Sequence, residues 1–372
     1  MVLIIGGGII GLTIAWRLTS IGKKVIIVDK NNLGKEASWA AAGMLSGRLD
    51  LRPSEKKLLP IFEKSHCAWP KFAQELENKS GKSIGYRKEG TIMVACDHYE
   101  EKKLKNNYNF LKKNNINISW LKGDDIRKKE PFVSNNIISG FFSPDDHHVN
   151  NRYMIDALIT ILKKNKKKCI FKENTEVKEI ITSRNQVVGI RTKTKETIKT
   201  KDIIICSGAW TNKINNIELN EAPIRPVKGQ IICLKVPKKL SFLQHILWRE
   251  NVYLVPRDNG DLIIGATEEE MGFDKNLTAG GVYNLLKIAR DILPAIEDLQ
   301  IVESWSGLRP TTRDEAPIIG PSKKIKGLIY ATGHHRNGIL LAPLTSNVIQ
   351  NYYLKGKIEN DFNNLKPGRF II

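Results

Sequence analysis

The sequence has little that would mark a secreted, membrane-spanning or metal-clustered protein. Its 372 residues include only 5 cysteines, at positions 67, 96, 169, 206 and 233, with no CxxC pair among them. That scatter excludes a disulfide framework and a finger-type zinc site, and it points to reduced thiols. No stretch reaches the roughly 18–20 apolar residues of a membrane span. The apolar run from Met1 to Trp16 lacks a basic segment before it and carries four glycines where a turn needs them. It therefore reads as structure rather than as a secretion signal, and a cytoplasmic location is the expectation. There is no internal repeat and no low-complexity linker.

What is present is an ordinary globular composition, 41% hydrophobic and 26% charged, in a chain long enough for two domains. This excludes a disordered, collagen-like or coiled-coil chain. The net charge of +20 would attract anionic partners. The basic runs, such as Lys163 to Lys168, have no interleaved aromatics, so no nucleic-acid partner is expected and the charge reads as a lysine-rich surface.

Val2–Ile5 is a short continuous apolar run, the mark of a buried parallel strand. Glycines break it, helical spacing follows from Ile9 to Ile21, and Lys24–Val28 is a second buried strand closed by Asp29. The whole is a βαβ unit. Further on, helical spacing covers 58–78, 99–113, 153–164, 278–293 and 344–353, with a strand at 91–95. Residues 170–171, 177–182, 187–192 and 197–198 read as a meander, and strands are expected at 203–206, 229–236, 252–255, 262–266 and 328–332. Buried-strand runs at 2, 24, 203 and 328 lie far apart, which makes the nucleotide-binding domain discontinuous.

The turn reads Gly6-x-Gly8-x-x-Gly11. Gly6 allows the tight turn, Gly8 the approach of a pyrophosphate, and Gly11 close helix–strand packing, with the phosphates on the helix N-terminus beside Ile9 and Ile10. Asp29, next to Lys30, would accept from ribose hydroxyls and disfavours a 2′-phosphate, which argues against NADP. The N-terminal position of the fingerprint favours FAD over NAD. So do the small residues of Ala37-Ser38-Trp39-Ala40-Ala41-Ala42-Gly43-Met44 and the late strand ending at Ser207-Gly208. His147-His148 and His334-His335 are adjacent pairs without a third ligand at suitable spacing, so no metal is expected.

Several further motifs appear in one order along nearly the whole chain: Pro226-Val-Lys-Gly-Gln230, Tyr253-x-Val-Pro-Arg257, Gly265-Ala-Thr267, Trp305-Ser-Gly-Leu-Arg-Pro310 and Gly333-His-His-Arg-Asn-Gly-Ile-Leu-Leu-Ala-Pro343. With these the chain resembles the D-amino-acid-oxidase superfamily of FAD-dependent oxidoreductases, and within it the glycine oxidases of the thiamine pathway. The resemblance implies an α/β fold, α+β overall. A discontinuous Rossmann-like FAD-binding domain (1–85, 145–215 and 305–372) would hold an inserted mixed or antiparallel-sheet substrate domain (86–144 and 216–304).

The resemblance also implies site roles. Arg309 would grip the substrate carboxylate as a fork, Tyr253 would donate a second hydrogen bond to it, and Arg336 would lie beside flavin and substrate. His334, His335, Arg336, Asn337, Gly338, Ile339 and Leu340 would wrap the isoalloxazine ring, their amides and positive charge favouring reduced flavin. Gly6, Gly8, Ile9, Ile10, Gly11, Asp29, Lys30, Ala37, Ser38, Ala42, Gly43, Met44 and Gly208 would hold the rest of FAD, and Val177 would meet the adenine. The implied reaction is oxidation of glycine, and of sarcosine or small D-amino acids, by hydride transfer to flavin N5. It would yield the imine, then glyoxylate and ammonia, with hydrogen peroxide from oxygen. The expected partners are a thiazole synthase and further copies of the chain, a homo-tetramer by resemblance. Glu268 stands where some members have an apolar pocket residue, and Trp39 where a small one is usual. A sarcosine-type oxidase or a D-amino-acid dehydrogenase is the alternative. No cysteine follows Cys233, so the covalent flavin link of monomeric sarcosine oxidases is not expected.

Overall fold

The computed structural model describes residues 1–51, 53–217, 221–237 and 243–370. Its centre is a six-stranded sheet in the order Ile318–Pro321, Leu328–Thr332, Asp202–Ile205, Val2–Ile5, Val25–Val28, Cys169–Lys172. All neighbours are parallel except Ile318–Pro321 on Leu328–Thr332. The strands read as unbroken apolar runs because both faces are covered. Val2, Ile4, Val25 and Ile27 pack into a helical layer with Leu12, Phe62, Leu158 and Ile349. The alternate residues Leu3, Ile5, Ile26 and Val28 pack against Val177, Ile180, Val187 and Ile190 of the three-stranded meander. Residues 170–171, read from sequence as part of that meander, instead belong to Cys169–Lys172, the edge of the parallel sheet against Val25–Val28.

The second sheet has eight strands, in the order Gln300–Thr311, Arg225–Lys235, Asp261–Gly265, Val252–Pro256, Ile246–Arg249, Thr91–Ala95, Ser139–Ser143, Ser119–Lys122. One face packs on the helix Ala279–Ile292 through Ile232, Leu254 and Ile264. The other presents Ile231, Val255, Ile263 and Trp305 to Ala40 and Ala42. The strand Gln300–Thr311 is continuous through the expected domain boundary at 304/305, because it pairs with Arg225–Lys235 almost throughout.

The last helix runs from Gly338 to Lys355, six residues earlier than its polar periodicity indicates. Residues 339–346 are buried all round, and a helix without a polar face carries no amphipathic signal. No described helix is long and apolar enough to cross a membrane.

Candidate functional site

A long cleft, with about 2090 Å³ of empty space including its open mouth, lies between the carboxyl ends of the parallel strands and the inner face of the eight-stranded sheet. That is where an open α/β sheet binds ligands. Of the residues expected to hold a dinucleotide, Gly6, Gly8, Ile9, Ile10, Asp29, Lys30, Ala37, Ser38, Ala42, Gly43, Met44, Val177, Gly208, His334, His335, Arg336, Asn337, Gly338 and Ile339 line it. Two do not. Gly11 sits beneath the turn, where a Cβ would lie 2.0 Å from the Gly6 carbonyl. Leu340 is turned into the core, and its carbonyl accepts from Ser65 Oγ and Trp69 Nε1 at 2.6 and 2.8 Å.

At the glycine turn Gly6 has φ +105°, and a Cβ there would strike the Cys206 carbonyl at 2.3 Å. Gly8 precedes the helix Ile9–Ser20 and offers no side-chain cap; the Ile9 amide donates instead to Ser38 Oγ at 2.8 Å. The positive helix end therefore opens on the cleft. Asp29 accepts from the amides of Gly7 and Asn31 at 2.7 and 2.8 Å, and burial pushes its carboxyl up against those hydrogen bonds. A Cβ at Gly208 would meet nothing within 4 Å, so the late turn is open to a ligand.

The sequence reading missed several residues of this wall. Glu36 and Trp210 line it, Lys30 pairs with Glu36 at 3.2 Å, and the Lys30 ammonium stands 3.3 Å from the Trp210 ring centroid. Lys275 reaches Glu36 at 3.0 Å, and Phe273 packs on Trp210 with centroids 5.7 Å apart. Trp210 stands two residues after Gly208, in the run Asp202–Trp210 read as the late strand and its turn, and Glu36 immediately precedes the run from Ala37; the sequence reading covers these stretches without giving either side chain a role.

At the other end Tyr253 and Arg309 share the wall. Arg309 Nη1 donates to the carbonyls of Lys228 and Thr267 at 3.2 and 3.0 Å. Its guanidinium crosses Gly229, where a Cβ would lie 2.5 Å away, and the Tyr253 ring crosses Gly265, where a Cβ would lie 2.7 Å from the hydroxyl. Burial pushes the Tyr253 phenol up, and the nearby Arg309 charge pulls it down.

The loop 334–337 departs from expectation in its charge. Burial pushes His334 down to about 3, so it is neutral while its Nε2 meets Thr345 Oγ1 at 2.9 Å. Arg336 lines the cleft, but its guanidinium donates to the buried Glu55 carboxylate and to the Asp50 carbonyl. Its charge is directed at Glu55. The positive element left is the start of the helix Gly338–Lys355, whose N-cap Asn337 makes no side-chain cap.

His147 and His148 diverge. His147 Nδ1 meets the Tyr86 hydroxyl at 2.8 Å, and His148 Nε2 donates to the Pro256 carbonyl at 2.7 Å. Among the described residues, ligand-capable atoms of Glu268, Glu315 and His335 come within 4.8 Å of one another, a grouping not visible in sequence spacing.

The glycine turn, open helix end and small-residue cradle define a flavin-dependent oxidoreductase. Residues 1–351 match the model of the FAD dependent oxidoreductase family, and the chain belongs to that family, with FAD as its cofactor. It is 34% identical over 347 residues to the glycine oxidase of Geobacillus kaustophilus, covering 92% of this chain and 90% of that one. It is 32% identical over 371 residues to the bifunctional protein ThiO/ThiG of Trichormus variabilis, of which it spans only 55%. The solved glycine oxidase of Bacillus cereus superposes with a TM-score of 0.90 at 32% identity, covering 100% of this chain and 99% of that one.

Proposed function

We propose that the chain oxidises glycine, together with sarcosine or small D-amino acids, to the imine, with oxygen as electron acceptor. The observation that carries this is the pairing of Arg309 with Tyr253 at one end of the FAD cleft. A guanidinium fork suits a carboxylate, and a phenol beside it adds a donor. Held there, an amino acid needs no further charge for fixation.

FAD, when bound, would supply the acceptor for the substrate hydride and the route of its electrons to oxygen. The chain's part is orientation and electrostatics. Arg309 and Tyr253 fix the carboxylate, which limits where Cα can lie. The open start of the helix Gly338–Lys355 stabilises negative charge nearby. Catalytic roles are thus proposed for Arg309 and Tyr253. For Arg336, which is held by Glu55, we propose that it shapes the wall. Glu268 on the same wall disfavours substrates with a second carboxylate. The flavin is held without a covalent bond, and the cradle and turn residues of the cleft are its ligands. The FAD-binding part comprises the parallel sheet with its helices and meander, and the substrate part the eight-stranded sheet.

The likeness to ThiO/ThiG proteins supports release of the imine to a thiazole synthase. The exposed Ile301 and Val302, on an edge strand, support self-association. The test is a parallel assay of peroxide release with glycine, sarcosine, D-alanine and D-proline. Peroxide with glycine, and flavin freed by acid precipitation, is expected. Flavin bleaching without peroxide would instead make the protein a dehydrogenase.

A further inference from the structure

The cradle 38–43 is held from behind by donors outside the cleft. Asn151 Nδ2 donates to the Ser38 and Trp39 carbonyls at 2.7 and 2.9 Å. Trp305 Nε1 donates to the Ala40 carbonyl at 3.0 Å. Arg257 Nη2 donates to the Ala42 carbonyl at 3.4 Å and to Asn151 Oδ1 at 2.7 Å. The Gly43 carbonyl accepts from the Val149 amide at 2.9 Å. Gly43 itself has φ +89°, and a Cβ there would lie 1.9 Å from the Val149 carbonyl, so the backbone is pressed tightly onto this support.

Arg257 is 7% exposed, and its hydrogen bonds go to amide oxygens rather than to a carboxylate. Burial pushes its guanidinium down to about 10, so it remains charged at neutral pH. A buried cation is expensive unless its donors are used. Here Nη1 and Nη2 are used on Asn150, Ala42 and Asn151, while Nε has no hydrogen-bond partner among the described residues; the Asn151 amide then has its oxygen toward Arg257 and its nitrogen toward the cradle.

We infer that Arg257 and Asn151 are positioning residues for the flavin. By taking the carbonyls of Ser38, Trp39 and Ala42 on the far side, they turn the Gly43 N–H toward the cleft that Ala42 and Gly43 line. In a trans peptide the N–H points opposite to its carbonyl, so fixing the Ala42 carbonyl on Arg257 fixes the Gly43 donor. The chain of contacts runs Arg257, Asn151, Ser38, Ile9 and so also reaches the pyrophosphate end, through the hydrogen bond from the Ile9 amide to Ser38 Oγ. One side chain, in the turn just after the strand Val252–Pro256, thereby sets both ends of the cradle. The inference rests on the cleft holding FAD and not on which amino acid is oxidised.

The test is Asn151→Asp with Arg257→Lys. Asn151→Asp pairs the buried cation with a carboxylate and places an acid in the first turn of the helix Asn151–Lys164, both of which favour the fold. It also replaces the donor to Ser38 and Trp39 with an acceptor. The expected result is a melting temperature of the flavin-free chain within a few degrees of wild type, the new ion pair with Arg257 offsetting the two lost carbonyl bonds, together with FAD affinity weakened by about tenfold or more, the worth of roughly one charge-assisted hydrogen bond. At saturating FAD the glycine KM should stay unchanged while kcat falls, because the carboxylate grip is untouched. Arg257→Lys, keeping charge but losing the fork, should weaken FAD likewise. FAD affinity equal to wild type in both variants would overturn the inference. So would FAD affinity and stability falling together in both, which would make these residues supports of the fold only. A wild-type chain that takes up no FAD would instead sink the reading of the cleft.

Discussion

Tyr253 and Arg309 come together only because a glycine lies under each: the Tyr253 ring crosses Gly265, its cross-strand partner, and the Arg309 guanidinium crosses Gly229. The two side chains thus lie flat on the sheet face and meet at the cleft. Loss of the fork should be felt in substrate binding. Arg309→Ala is expected to raise the glycine KM or lower kcat/KM by about 100-fold, roughly 3 kcal/mol, the value of a charged hydrogen-bond pair. FAD content should be unchanged. Steady-state peroxide release checks the first and the visible spectrum the second.

Gly229→Ala tests the same geometry without touching a functional group. The new Cβ would stand 2.5 Å from the Arg309 guanidinium, too close to remain. Arg309 must then lift off the sheet. A fall in glycine kcat/KM of about tenfold is expected from misplacement of this kind. Equal kinetics in the variant would show that the arginine is not held as described.

Lys228, in the motif Pro226–Gln230, is not catalytic in this structure. It is fully buried and pairs with Glu269 at 2.8 Å, while its Nζ also donates to the Asn276 carbonyl. The pair ties the segment after Gly265 across the sheet. Lys228→Met should cost about 1–2 kcal/mol, since it removes the ion pair and the bond to Asn276 while the partly exposed Glu269 keeps its hydrogen bonds from Gln230 and Thr267. Urea unfolding measures it. Glycine turnover per bound flavin should fall far less than in Arg309→Ala.

Acid should destabilise the protein early. Burial pushes His148 down to about 4 and His334 to about 3, below the unfolded value near 6.5. Both are neutral in the fold and must charge on unfolding, so their contribution is complete above about pH 6.5 and is lost as pH falls toward the folded values. At pH 5 the loss is on the order of 2 kcal/mol for each. Unfolding midpoints at pH 7 and pH 5 should differ accordingly, and His334→Gln should flatten the slope if it folds. An identical slope in that variant would remove His334 from the explanation.

Much of the site was legible because its parts are local. The strand–glycine–helix unit at 2–28, the cradle at 37–44 and the motifs carrying Tyr253 and Arg309 each place their residues through short-range geometry, and all of these line the cleft. What could not be read depends on distant contacts. Strands such as Ser119–Lys122 and Ile318–Pro321 are short, and they become strands by pairing rather than by pattern. The destination of the Arg336 charge was hidden for the same reason, since Glu55 lies 281 residues away in sequence. Asn151 lies just before the helical spacing read from 153, and its amide toward Ser38 emerges only from the packing of the helix Asn151–Lys164 against the cradle.

The most direct measurement is anaerobic mixing of the FAD-loaded protein with glycine, followed by readmission of oxygen. Loss of the flavin's visible band with glycine, its return with release of hydrogen peroxide, and strong slowing of the first phase in Arg309→Ala are the expected results. A wild-type flavin that stays oxidised with glycine, sarcosine and small D-amino acids alike would contradict the proposed function.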